Sequence, residues 1–96
     1  MSGRYENKTD VRALVETLAK ALVDHEEDVD ITEISGSYHT IYEIRVHDDD
    51  VGLILGRSGS NINALRTIVT AACKKAAIKY TIHVVTKTPR PAYNRV

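Results

Sequence analysis

A four-residue break between two apolar helical segments constrains this chain more than any other feature. Residues 51–55 and 62–65 carry apolar side chains at helical spacing, and Gly56-Arg57-Ser58-Gly59 lies between them. Glycine adopts backbone angles that strain other residues and lets another backbone approach closely. The break leads directly into the second helix, whose first N–H groups are unpaired and carry a partial positive charge. The stretch therefore predicts a helix–loop–helix unit whose loop is open to an anion.

The first turn after the break carries no acid that would compensate this positive end. Ser60, Asn61 and Asn63 are neutral, whereas a helix start usually prefers Asp or Glu. We therefore expect the loop N–H groups and the helix start to hold phosphates, with Arg57 as a mobile cation and Ser58 as a hydroxyl donor. The spacing leaves one alternative open, a plain connection with Gly56 as helix stop and Ser60 as helix cap.

The formal net charge is zero, but the two halves of the chain differ sharply. Residues 1–50 hold five cations and all 13 acids, a balance of −8, and residues 51–96 hold eight cations and no acid, a balance of +8. A surface with many cations and no anion attracts polyanions. The basic half also contains the glycine loop, which favours nucleic acid as the ligand. The alternative is that the two halves pair with each other in the fold.

Hydrophobic periodicity predicts six elements. A helix capped by Thr9 or Asp10 runs from Val11 to near Asp24, and strands at 29–35 and 39–47 form an antiparallel hairpin. A short helix at 50–55, the loop, a long helix and a strand at 80–85 follow. This order, α-β-β-α-α-β, predicts a two-layer α+β domain, a three-stranded sheet with helices on one face and water on the other.

The same patterns predict the core and the domain limits. We expect residues 1–8 to be disordered, the domain to span 9–86, and residues 87–96, with two prolines, to form a flexible tail. The predicted core comprises Val11, Leu14, Val15, Leu18 and Leu22 of the first helix, Tyr42, Ile44, Val46, Tyr80, Ile82 and Val84 of the strands, and Ile62, Leu65, Val69, Ala72 and Ala76 of the long helix, whose stripe Ile68 widens.

The stretch Ile54-Leu55-Gly56-Arg57-Ser58-Gly59, with Ile62 and Leu65 after it, resembles the core signature of KH domains. Their GxxG loop clamps about four nucleotides of a single strand. The order of elements resembles the bacterial type II arrangement, and residues 10–85 are similar to the small bacterial single-KH proteins of the KhpA family. Leu55 is a mild departure, because many KH domains have Ile or Val there.

This resemblance implies a function and partners. It implies non-catalytic binding of single-stranded RNA, a role as RNA chaperone or post-transcriptional regulator linked to cell shape, cell wall biogenesis and envelope homeostasis, and pairing as a homodimer or with a larger KH-containing protein. The alternative is a dimerisation subunit whose larger KH partner makes most of the RNA contacts.

The resemblance also implies the groove beside the loop. Ile54, Leu55 and Ile62 would form its apolar floor, and Asn61 and Arg66 would reach across from the long helix. Base edges would meet the backbone of the second strand near Ile44 and Val46. The alternative for Ile54, Leu55 and Ile62 is an ordinary place in the core.

Other chemistries find little support. The chain has no Phe or Trp and five Tyr, which argues against the exposed aromatic platforms of RRM and OB folds. The four His are not at metal-ligand spacing, Asp48-Asp49-Asp50 reads as helix caps, and Cys73 reads as a buried inert thiol. The loop lacks the Gly-Lys-Ser/Thr ending of a nucleotide-hydrolysing P-loop. We expect no enzyme activity, cofactor or metal. We also expect no membrane span or signal peptide, and hence a cytoplasmic protein.

Overall fold

Three helices and three strands follow one another in the computed structural model, which describes residues 10–86. The predicted order α-β-β-α-α-β is confirmed. The predicted disordered segment, Thr9 as a cap and the predicted tail lie outside the described residues. The elements are helix α1 (Val11–Leu22), strands β1 (Asp30–Ser35) and β2 (Thr40–Val46), helix α2 (Val51–Leu55), helix α3 (Ser60–Ala76) and strand β3 (Tyr80–Thr86), with short 3₁₀ turns at Glu26–Asp28, Asp48–Asp50 and Arg57–Gly59.

Helix α1 begins where its cap predicts and ends slightly early. Asp10 accepts a hydrogen bond from the Ala13 N–H at 3.0 Å, which satisfies one of the free donors of the first turn. Val11, Val15 and Ala19 are buried along one face. The helix stops at Leu22 rather than near Asp24 because Val23 has extended backbone angles and its side chain is buried.

The sheet has the order β1-β2-β3, with β1 antiparallel and β3 parallel to the central strand β2. The predicted hairpin is confirmed, and its turn is closed by the Gly36 N–H donating to the His39 carbonyl at 2.8 Å. Parallel strands need a crossover connection, which here consists of α2, the loop and α3. The strand order leaves β1 and β3 as the two edges.

The core lies between one face of this sheet and the helices. Tyr42, Ile44 and Val46 alternate along β2 and have no exposed side-chain surface, as their period predicts. Tyr42 stands opposite Ile82 of β3, and its hydroxyl donates to Glu33 at 3.0 Å. Burial, with the nearby Glu33 carboxylate, raises the pKa of Tyr42 well above its usual value. Each side chain of this size buried from water stabilises the fold by about 1.5–3 kcal/mol.

The buried face of helix α3 agrees with the prediction in its first half and differs from it in its second half. Ile62, Leu65 and Val69 are buried as predicted, and the stripe then continues through Cys73, whereas Ala72 packs only partly against the core. Burial raises the pKa of the Cys73 thiol, in agreement with an inert side chain. The prediction that Ile68 widens the stripe is wrong, because this side chain is 46% exposed and is not among the residues packed against the core.

Among the described residues, no helix is both long enough and apolar enough to cross a membrane.

Candidate nucleic-acid interface

The loop between α2 and α3 has a backbone that its two glycines make possible. Gly56 and Gly59 both have positive φ angles, +75° and +79°. A Cβ atom on Gly56 would lie 2.6 Å from Cγ and 2.7 Å from the backbone nitrogen of Asn61, so no side chain fits at this position. Ser58 also lies in the left-handed region, with φ 55° and ψ 27°. Such backbone strain at a non-glycine residue is often found at binding sites.

The amides of this loop, which are predicted to hold phosphates together with the helix start, are only partly open. The Gly56 N–H donates to the Gly52 carbonyl at 2.8 Å, and the Gly59 N–H donates to the Gly56 carbonyl at 3.1 Å. The Ser60 N–H donates to the Arg57 carbonyl. These three hydrogen bonds hold the turn together. A bound phosphate would therefore depend on the middle of the loop and on its side chains.

Asn61 fixes the loop against the preceding helix. Its side-chain amide donates to the Leu53 carbonyl at 2.7 Å and so joins the start of α3 to the end of α2. Asn61 is therefore engaged within the protein rather than free to reach across the groove. Ser60 is not the helix cap, since it has helical angles and Gly59 precedes it as the capping residue without a side-chain bond.

The side chains in the middle of the loop face water. Arg57, Ser58 and Ser60 are exposed, and Arg66 is exposed one turn and a half further along α3. Among residues 10–86, the ion pairs that involve Lys or Arg lie within the first half of the chain, between Glu16 and its helix neighbours and between Arg45 and Glu43. Within residues 10–86, the exposed cations of the second half form no ion pair with a carboxylate, so the two halves do not neutralise each other there. These cations are Arg57, Arg66, Lys74, Lys75 and Lys79.

The predicted apolar floor divides into core and surface. Ile54 is fully buried and Ile62 is 6% exposed, so both belong to the core, which is the alternative that the sequence left open for them. Leu55 is 38% exposed at the edge of the loop, and Leu53 is 39% exposed on the same short helix. Successive helical residues differ by about 100° in direction, which turns Ile54 inward and its two neighbours outward. Of the three predicted residues, only Leu55 offers apolar surface.

The central position of β2 disfavours the predicted contact of base edges with its backbone. Strand β2 is central, and Ile44 is paired with Ile31 of β1 on one side and Val84 of β3 on the other. The Ile44 and Val46 side chains have no exposed surface. The strand with an open edge on this side is β3, against which α2 packs. Sequence reasoning missed β3 because strand order depends on the tertiary fold.

A polar contact joins the middle of α3 to the start of β3. The Tyr80 hydroxyl donates to the Arg66 carbonyl at 3.2 Å and shares a hydrogen bond of 2.6 Å with the Thr70 hydroxyl. Arg66 and Thr70 are one turn apart on the same face of α3, which therefore faces the first residues of β3. Arg66 thus lies on the side of α3 that faces the start of β3.

A buried carboxylate holds the start of α2 in place. The predicted role of the three aspartates as caps fails for Asp50, which makes no capping bond and is 1% exposed. Its carboxylate accepts hydrogen bonds from the His25 backbone N–H at 2.9 Å and from His25 Nδ1 at 3.0 Å. The His25 ring in turn stacks on His47 with centroids 4.0 Å apart. The segment after α1 is thereby tied to the helix that leads into the loop.

The two partners shift each other's titration. Burial alone would raise the pKa of Asp50, but the hydrogen bonds from the His25 backbone and ring outweigh burial and hold it below its usual value. The hydrogen bond to Asp50 raises the pKa of His25 against the lowering effect of burial, with Glu27 and Asp28 adding to the rise. Each charged form is thus favoured in the folded protein.

These shifts predict how stability depends on pH. A histidine whose pKa is raised on folding contributes stability that is complete below its unfolded pKa of about 6.5 and is lost as pH rises through the folded value. An aspartate whose pKa is lowered contributes stability above about 3.9, which is lost as pH falls through the folded value. We expect denaturant midpoints to fall at both ends, and His25→Gln to remove the loss on the alkaline side. His83→Gln, at an exposed position of β3, is the matched control, and equal pH profiles for wild type and His25→Gln would contradict the assignment.

Within residues 10–86, no group of three His, Cys, Asp or Glu side chains is placed to hold a metal ion.

Comparison with known proteins gives concordant results. A sequence profile described as "KhpA/KhpB, KH domain" matches residues 12–84. The chain is 37% identical over 75 residues to the RNA-binding protein KhpA of Clostridium perfringens, covering 78% of this chain and 100% of that protein. It is 42% identical over 65 residues to the RNA-binding protein KhpA of Halalkalibacterium halodurans, covering 68% of this chain and 86% of that protein.

Two solved structures share the fold. A variant of Era from Aquifex aeolicus bound to GDP and AlF4− superposes with a TM-score of 0.62 at 15% identity, over 93% of this chain. Era in complex with MgGDPNP and nucleotides 1506–1542 of 16S ribosomal RNA gives a TM-score of 0.58 at 16% identity, over 88% of this chain. The chain spans about a third of the length of each Era chain, 35% and 34%. At these identities the likeness concerns the fold alone.

Proposed function

The chain belongs to the family of KhpA/KhpB KH domains, and from that premise we propose that it binds single-stranded RNA through the Gly56–Gly59 loop without catalysing a reaction. The observation that carries the proposal is the solvent exposure of the Arg57 and Ser58 side chains. Both side chains are exposed on a loop held by internal hydrogen bonds, and within residues 10–86 no carboxylate neutralises Arg57. An exposed arginine at the start of a 17-residue helix suits the phosphates of an RNA strand.

We propose one path for the RNA strand over the surface of the domain. Phosphates lie at the loop, and Leu55 provides apolar contact for a base. The RNA strand then follows the exposed side of α3 past Arg66 towards β3, whose outer edge is paired with no strand among residues 10–86. The chain has no Phe or Trp, and at the loop binding depends on phosphates, so it is strongly salt-dependent. A single site of this kind has a Kd of roughly 10⁻⁴–10⁻⁶ M at physiological salt.

The test is a charge reversal in the loop. In the double variant Arg57→Asp, Ser58→Asp, repulsion of phosphates should lower RNA affinity about tenfold or more, while circular dichroism stays unchanged because both side chains are exposed. The measurement is fluorescence anisotropy of a labelled single-stranded RNA. With about three phosphates held, the wild type should give a slope of log K against log salt near −2.

A matched control carries an added negative charge elsewhere. Thr32→Asp lies at an exposed position of β1, the sheet edge opposite to β3, and should bind RNA like the wild type. Unchanged affinity in the loop double variant, or a slope near zero in the wild type, would reject the loop as the RNA site.

Pairing of the domain is the second part of the proposal. An apolar groove between α1 and α3 is lined by Leu18, Leu22, Ala64 and the exposed Ile68. We propose that this surface packs against the same surface of a second copy, because a twofold-symmetric contact brings identical surfaces together. Pairing would also strengthen RNA binding, because two weak sites in one dimer have a raised effective concentration. Light scattering of the isolated chain measures this. A monomer at high protein concentration would reject the homodimer and leave a larger KH-containing partner, the alternative in which this chain serves mainly as an interaction subunit.

The cellular role is proposed on the resemblance. Binding of this kind suits an RNA chaperone or post-transcriptional regulator in the cytoplasm, with effects on cell shape and envelope. Cells that carry the loop double variant in place of the wild-type gene should show the same shape change as cells that lack the gene. Normal shape in those cells would contradict a role that acts through RNA.

A further inference from the structure

A second surface lies at the end of the sheet where β2 and β3 begin. There the turn at residues 36–39 and the connection at residues 77–79 enclose an open pocket of about 330 Å³, lined by Tyr38, His39 and Lys79 among others. Pockets of roughly 300–1,000 Å³ hold small ligands, so this one has room for a single nucleotide. None of its lining residues is acidic. The surface is defined by Tyr38, His39 and Lys79 and is called the Tyr38 surface below.

The frame of this surface is held by hydrogen bonds on both sides. The Gly36 N–H donates to the His39 carbonyl at 2.8 Å, and the Thr40 N–H donates to the Lys79 carbonyl at 2.8 Å. His39 Nε2 shares a hydrogen bond with the Thr81 hydroxyl of β3. These bonds join the turn to the connection, so that Tyr38 and Lys79 stand on a fixed backbone. An ordered frame lowers the entropic cost of binding a ligand.

The two side chains that this frame presents have little contact with the protein. Tyr38 is 87% exposed, the largest exposed fraction among the large hydrophobic side chains of residues 10–86. Lys79 is exposed and forms no ion pair with a carboxylate in the described part of the chain. An exposed aromatic ring beside an unneutralised cation matches the two groups of a nucleotide, because bases stack on aromatic rings and phosphates contact cations.

The Tyr38 surface is continuous with the proposed RNA path. Tyr80 follows Lys79 directly, and its hydroxyl contacts the Arg66 carbonyl and the Thr70 side chain of α3. The 17-residue helix α3 spans about 25 Å, with the loop at its start and the connection to β3 at its end. An RNA strand that leaves the loop along the side of α3 occupied by Arg66 would approach Tyr80 and the connection at residues 77–79 at the far end of the helix.

We propose that the Tyr38 surface is a second contact for the same RNA strand, in which the Tyr38 ring stacks on a base beyond the nucleotides held at the loop and Lys79 contacts the adjacent phosphate. This inference rests on the proposed function and adds an aromatic stacking position to a site that otherwise depends on phosphate contacts. A protein ligand fits less well, because the pocket is half polar and too small for the area that a stable protein interface buries.

The test compares RNAs of two lengths by fluorescence anisotropy with the full chain. A four-nucleotide RNA fills the loop alone, and an RNA of about eight nucleotides also reaches the Tyr38 surface. Tyr38→Ala should lower affinity for the longer RNA roughly five- to tenfold and leave the shorter RNA unaffected. Tyr38→Phe keeps the ring and is the matched control, which should bind both RNAs like the wild type. Lys79→Gln should reduce the salt slope for the longer RNA by about 0.7.

The outcomes separate this inference from the proposed function. Equal affinities of Tyr38→Ala and wild type for the longer RNA would overturn the second contact, as would an equal loss for both lengths. A change in oligomeric state of Tyr38→Ala without a change in RNA affinity would assign the surface to a protein contact and also overturn it. If Arg57→Asp, Ser58→Asp keeps its affinity while Tyr38→Ala loses it, the loop proposal fails and the Tyr38 surface stands.

Discussion

Replacing Gly56 with alanine should abolish measurable RNA binding and destabilise the domain by about 2 kcal/mol or more. The new Cβ would lie 2.6–2.8 Å from three atoms of Asn61, one of which is its backbone nitrogen. Rotation of a side chain cannot relieve that contact, so the start of α3 must move away from α2. The hydrogen bond from Asn61 to the Leu53 carbonyl would then break. The positive φ of Gly56 adds a further cost for any residue with a Cβ.

Two other glycines provide matched controls for this variant. Gly52 lies within α2, and a Cβ there would meet nothing within 4 Å, so Gly52→Ala should raise stability by up to about 1 kcal/mol. Gly59 has room for a Cβ, at 3.7 Å from the Asn63 side chain, but a φ of +79°, so Gly59→Ala should cost only about 1–2 kcal/mol. Denaturant unfolding and RNA anisotropy measure all three variants. If Gly56→Ala is as stable as Gly52→Ala and binds RNA equally well, the close packing of the loop against Asn61 is not required.

Local periodicity predicted most of the fold because the features concerned are themselves local. The alternation of Tyr42, Ile44 and Val46 sets one face of β2, and the spacing of Ile62, Leu65 and Val69 sets one face of α3. The position of Asp10 before the first apolar residue gave the start of α1. Strand order is not a local feature, because the sequence of β2 or of β3 alone does not indicate which of them lies at the edge of the sheet. Sequence patterns therefore do not indicate that β2, the strand predicted to line the groove, is the central strand of the sheet.

The loop likewise has features that a sequence pattern predicts and features that it does not. The pattern Gly-x-x-Gly indicates where positive φ angles are possible, and both glycines have them. It does not indicate which amides are already used, and the bonds of Gly56 and Gly59 depend on the tightness of the turn. The three consecutive aspartates are alike in sequence, yet only Asp50 is buried, because His25 from a distant segment supplies its hydrogen bonds. Contacts of this kind arise only in the folded chain.

Alanine variants of two adjacent residues at the end of α2, Ile54 and Leu55, should have different effects on stability and on RNA binding. Ile54 is fully buried, and Ile54→Ala should cost about 2–5 kcal/mol, because it removes packed methyl groups and leaves a cavity. Leu55 is 38% exposed beside the loop, and Leu55→Ala should leave stability nearly unchanged and lower RNA affinity several-fold through lost contact with a base. Denaturant unfolding and RNA anisotropy of both variants measure the two effects independently.

A Leu53→Ala variant tests whether the loss of RNA affinity in Leu55→Ala depends on the position of the side chain or only on the amount of exposed apolar surface. Leu53 is 39% exposed on the same helix, but it points about 200° away from Leu55 around the helix axis. Leu53→Ala should therefore bind RNA like the wild type, because only the side of α2 that carries Leu55 borders the proposed path. Equal losses in Leu53→Ala and Leu55→Ala would mean that bases do not pack on one defined side of α2. A loss of RNA affinity in Ile54→Ala at full stability would place Ile54 in the groove and contradict its assignment to the core.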